Sequence, residues 1–178
     1  MQTKAKDRGG DGDAVRDVLL EMGLADGRSD ALYRRVAGAF GLGRCEMWLF
    51  YWLLADGGAA AQHELAERLS FPKQTVHSAV AKLATEGLVA LGPAPGSRKE
   101  KTVRLTAAGR VAAEATSGRL LAAEVRATER LGLRKAAEFN RVRDEYFALL
   151  RAEFERDFLG GAAVRTSTAR SASPRCRT

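Results

Sequence analysis

The sequence predicts a mainly α-helical protein with one small β-hairpin, in which a helix–turn–helix lobe carries the hairpin and a second, helical lobe serves self-association. Three observations carry that prediction. Apolar residues recur at spacings of three and four through most of residues 29–159, the period of helices that pack on one side. Two short β-prone runs, 88–91 and 102–105, flank a stretch rich in glycine and proline, as a hairpin does. A charged helix near the end, about 133–158, carries Phe139, Val142, Tyr146, Leu149 or Leu150, Phe154 and Phe158 as one apolar stripe. That stripe is too long for a small central lobe to cover, and it predicts a dimer.

The elements follow in order. Residues 1–28 read as a largely flexible N-terminal segment, with 1–13 polar and nearly free of apolar side chains. Ser29-Asp30 is placed to cap a helix reaching about Leu42, interrupted by Gly41 and Gly43. Residues 44–55 hold CEMWLFYWLLA, apolar nearly all round, so this helix must be buried on most sides. The two form N-terminal dimerisation helices over 29–58. A short helix over 62–69 leads to a break at Ser70-Phe71-Pro72, and a longer one runs from Pro72 to about Glu86. Pro72 suits a first helical position and Gly87 a C-terminal stop. After the hairpin, helices over 107–130 and 133–158 make a C-terminal dimerisation lobe, 107–159. Residues 160–178, with four arginines and no acid, read as a disordered basic tail.

Composition limits the function. The chain of 178 residues carries a net charge of +7, with 29 basic and 22 acidic residues. Much of the excess sits in the two ends, so the bulk figure is a poor argument for nucleic acid. The local fact is stronger: within 60–110 there are eight basic and four acidic residues. No run of about 18 apolar residues predicts a membrane span, and the N-terminus lacks the apolar centre of a signal peptide, so a cytoplasmic location is expected. Cys45 and Cys176 are too few and too far apart to predict a disulfide framework. With only His63 and His77 beside them, neither a metal site nor a cofactor is expected. Cys45 reads as a small buried hydrophobe rather than a redox switch, and His63 as an exposed residue of a first helical turn. No phosphate-binding glycine loop and no nucleophile–base pair points to an enzyme.

The stretch 59–110 carries the function. Helix, tight turn, helix, hairpin is the order of a winged helix-turn-helix, in which the second helix must leave one face free to enter a DNA groove. Val76, Ala79, Val80 and Leu83 form its inward face. Pro72, Lys73, Gln74, Thr75, His77, Ser78 and Lys82 remain outside, without an acid among them. Gln, Ser and Thr hydrogen-bond base edges, and Lys reaches bases or phosphates. Arg98, Lys99 and Lys101 make a cationic hairpin tip suited to the minor groove or the backbone. The expected partner is double-stranded DNA. An alternative uses the winged fold for protein–protein contacts, but that version favours exposed large apolar residues where this helix has polar ones.

The same stretch resembles the MarR family of bacterial regulators. The resemblance rests on Leu65-Ala66, Thr75-Val76, Leu83, Glu86-Gly87-Leu88-Val89, Leu105-Thr106 and Gly109-Arg110, with Pro72-Lys73-Gln74-Thr75-Val76 like one subset of that family. It implies a homodimer with intertwined terminal helices, two winged lobes over successive major grooves, and a small-molecule effector. Phe40, Trp48 and Trp52 are pocket candidates for that effector, although aromatics in such a helix serve the core as well. The chain departs from the family at the wing. Where an Asp precedes a bracing Arg by two positions, it has Ser97 and Lys99, with Arg98 between. Arg98 is the favoured groove-reaching residue, for its planar, bidentate guanidinium.

Overall fold

The computed structural model describes residues 9–94 and 97–159, so the expected basic tail, 160–178, and Cys176 with it lie outside the described residues. Helix α1 runs Gly9–Ala39. The helix expected to start at Ser29 therefore begins at Gly9, and residues 9–28 are not a flexible lead-in. The reason is in the residues: Val15, Val18, Leu19 and Met22 keep helical spacing, no proline intervenes, and Asp11 and Asp13 sit at the end that favours negative charge. Asp30 caps nothing and pairs instead with Arg34 and Arg44. Helix α2, Arg44–Ala55, is buried through Cys45, Glu46, Met47, Leu49, Phe50 and Leu53.

Next comes a strand the sequence reading did not contain, β1, Ala59–Ala61, followed by α3, Gln62–Leu69, and α4, Lys73–Thr85. Pro72 is the residue before α4 rather than its first turn; its ψ of 136° is extended, while its carbonyl accepts from the Thr75 and Val76 N–H groups. Strands β2, Val89–Ala94, and β3, Ser97–Leu105, complete an antiparallel sheet in the order β1-β3-β2. Leu91 pairs with Val103 and Pro93 with Lys101, so the strands extend well into what the glycine and proline content had marked as loop. Ala60 pairs with Val103 on the other edge of β3, closing the hairpin onto the helices.

The core joins α2, α3, α4 and the sheet through Leu49, Leu53, Leu65, Val76, Val80, Leu83 and Val103, all essentially inaccessible. Each such side chain contributes about 1.5–3 kcal/mol by leaving water. Helix α5, Ala107–Ala113, continues through a π-turn, Glu114–Gly118, into α6, Arg119–Leu131, where one uninterrupted helix was expected. The wide turn faces α2: the buried Ser117 hydroxyl donates to the Met47 carbonyl at 2.7 Å.

The chain divides into two compact units after Arg126. In the second, α7 spans Leu133–Phe154 and runs into a π-turn, Glu155–Leu159. Helix α7 buries no residue: Phe139, Val142, Leu149 and Phe154 are exposed, and Tyr146 and Leu150 are half-buried. Arg141 bridges Glu138 and Glu145 along the same helix. No helix of the described residues is long and apolar enough to cross a membrane.

Candidate nucleic-acid interface

The face of α4 follows from its inner side. Val76, Ala79, Val80 and Leu83 are committed to the core, at the spacing that turns the intervening positions outward. Lys73, Gln74, Thr75, His77, Ser78, Ala81 and Lys82 are all exposed, as is Pro72. The outer face predicted from the sequence is thus brought together on one helix.

Three motifs lock that helix to the wing. Gly87, at φ 70°, ends α4 in a conformation glycine adopts without strain, and the Leu88 N–H donates to the Leu83 carbonyl at 2.8 Å. The Thr106 hydroxyl donates to the Gly87 carbonyl at 2.7 Å and accepts from the Gly109 N–H at 2.9 Å, capping α5. Gly109 meets the Leu88 backbone so closely that a Cβ there would lie 1.7 Å from the Leu88 oxygen. Arg110 completes the joint by donating to the Gly57 carbonyl at 3.0 Å. The Glu-Gly-Leu-Val, Leu-Thr and Gly-Arg signatures are therefore one interlocked corner that sets the wing against the helix.

Between α3, α4 and the sheet lies a cleft of about 800 Å³ whose walls include Gln62, His63, Lys73, His77, Leu91 and Lys101. Lys101 is exposed on β3. Glu67 is an acid on the same wall. Gln62 and His63, in the first turn of α3, face the same cleft as the α4 side chains. The exposure of His63 was legible in the sequence, whereas the place of half-buried Gln62 and of His63 on the same cleft as His77 depends on the angle between two helices. The side chains of Arg98 and Lys99 lie outside the described residues.

Lys82 is partnered. Its Nζ lies 2.8 Å from Glu46 Oε1, a buried carboxylate of α2, and hydrogen bonding to Glu46 holds the ammonium's pKa above its ordinary value. Arg44 also reaches the lobe, with its guanidinium 5.5 Å from the Phe71 ring centroid. Neither Glu46 nor Arg44 was singled out by sequence, because they sit in a run that reads only as core.

The aromatic candidates separate. Tyr33, Trp48, Tyr51 and Trp52 form a ladder with centroids 5.0, 5.1 and 5.7 Å apart, with Trp48 and Trp52 half-buried. Glu124 accepts from Tyr33 Oη at 2.6 Å, and burial with this carboxylate pushes both the Tyr33 and Tyr51 phenols up to about 12. Phe40 instead lines a groove of about 360 Å³ with Val36, Leu120 and Ala123, rimmed by Arg119 and Arg126. Cys45 is buried, and desolvation raises its thiol to about 11, far from a reactive thiolate.

Residues 40–100 match the model of the MarR family. No curated protein sequence matches the chain at a significant level. Among solved structures, the chain is similar to NMB1585, a MarR family regulator from Neisseria meningitidis, at 19% identity and a TM-score of 0.69 over 78% of this chain and 96% of that one. It is similar to NadR in complex with 4-hydroxyphenylacetate, at 19% identity and a TM-score of 0.57 over 82% and 97%. The PcaV transcriptional regulator from Streptomyces coelicolor, in complex with its natural ligand, aligns at 20% identity and a TM-score of 0.53 over 71% and 91%. The described chain therefore has the fold of these winged helix-turn-helix structures, and its stretch 40–100 is similar to the MarR family.

Proposed function

We propose that the protein is a sequence-specific transcriptional regulator that binds double-stranded DNA as a homodimer, on a palindromic operator with half-sites about one helical turn apart. The observation that carries the reading is the exposed, acid-free outer face of α4, held beside a cationic wing by the Gly87–Thr106–Gly109 corner. Pro72, Lys73, Gln74, Thr75, His77 and Ser78 would meet the major groove, and Arg98, Lys99 and Lys101 the minor groove or backbone. A second copy would cover the apolar face of α7 at Phe139, Val142, Tyr146, Leu149 and Leu150, together with the exposed Val15, Val18 and Leu19 of α1. The effector would enter the groove at Phe40, where apolar walls and two arginines suit a small organic anion; the ligands named for the NadR and PcaV structures support a small-molecule role of this kind.

The test is retention of genomic fragments by the purified protein, followed by gel shifts at two salt concentrations. Defined complexes that weaken steeply with salt are expected. Absence of any defined complex would remove the reading.

A further inference from the structure

Lys82 stands on the outer side of α4, where a lysine reads most simply as a phosphate contact. Its ammonium is already engaged. Glu46 Oε1 lies 2.8 Å away, and Oε2 of the same buried carboxylate accepts from the Gly43 N–H at 3.0 Å. Glu86, at 4.0 Å, adds a looser negative partner. If Lys82 swung to a phosphate, Glu46 would keep one backbone donor and lose its counter-charge inside the protein, an unfavourable exchange for a desolvated carboxylate. Arg44, in the same first turn of α2, pairs with Asp30 of α1 at 2.7 Å and lies over Phe71, in the turn that enters α4. The first turn of α2 therefore holds α4 at both ends, through Phe71 just before it and Lys82 near its last turn.

We infer that Lys82 is a positioning residue and not a DNA contact: through Glu46 it fixes the angle at which α4 is presented, and Arg44 ties the same joint to α1. The inference rests on the DNA-binding reading above and assigns Lys82 a different part in it. A rigid strut of this kind affects every contact made by α4 while neutralising no phosphate itself.

Binding of the full chain to a retained genomic fragment, measured across salt for wild type, Lys82→Met and Glu46→Gln, separates the roles. Lys82→Met should weaken binding roughly three- to ten-fold with the wild-type slope of log affinity against log salt. Glu46→Gln should give a similar loss, and the double variant should be no worse than the weaker single one, since both remove one coupling. A slope reduced by about one per subunit in Lys82→Met would identify a phosphate contact and overturn the inference. So would wild-type affinity and slope in that variant. If Glu46→Gln fails to fold, the Lys82→Met slope still decides, because that side chain is half-exposed and its removal leaves the core intact. Wild-type protein that retains no fragment at any salt overturns the regulator reading itself, an outcome distinct from wild-type binding with an indifferent Lys82.

Discussion

Single residues carry the joint between recognition helix and wing. Gly109 is the sharpest case, since any side chain there would collide with the Leu88 carbonyl. Gly109→Ala should cost roughly 1–3 kcal/mol, the range of an overpacked core, and urea denaturation should show it as a lowered midpoint. An unchanged midpoint would mean that the α5 entry relaxes away from β2. This corner was legible in the sequence because its residues fall in short, ordered motifs. The Glu46–Lys82 bridge was not, since the partners are 36 residues apart and Glu46 lies in a helix that reads only as apolar. Cys45 fits its sequence reading as a buried small hydrophobe, and its raised pKa leaves it a thiol at neutral pH.

At the level of elements, α1, α2 and α6 meet around the carboxylate of Glu124. Tyr33 and Tyr51 hold their protons there to about pH 12, against about 10 in an unfolded chain. A phenol whose folded pKa is raised stabilises the protein fully below its unfolded value and loses that contribution as pH climbs through the folded one. Stability should therefore fall between about pH 10 and 12, and replacing both tyrosines with Phe should flatten that segment of the profile. Alkaline melting curves of the two proteins make the comparison; parallel curves would dissociate the tyrosines from the effect. The helix periods of α4 and α7 were readable from apolar spacing, and α2 from a run apolar nearly all round. The N-terminal extent of α1 was obscured by the glycines at 9–12, and β1 by being three alanines, whose strand conformation comes from pairing with β3 and not from propensity.

At the scale of the whole molecule, the proposed regulator works as a pair of copies. Val15, Val18 and Leu19 of α1, and Phe139, Val142 and Leu149 of α7, are each more than half exposed in one chain. Such surfaces ask for cover. Ending the chain before Leu133 should abolish the dimer in sedimentation and operator binding with it; a soluble monomer with full affinity would refute the architecture. The central claim, that the outer face of α4 reads DNA, is tested most directly by Gln74→Ala, measured on a retained operator and on random DNA across salt. Gln74 is exposed and bears no core duty. Its loss should cost on the order of 1–3 kcal/mol on the operator, relax preference at one or two base pairs, and leave random-DNA binding and the salt slope unchanged. Equal affinity of wild type and variant on the operator, with preference intact at every position, would contradict the claim.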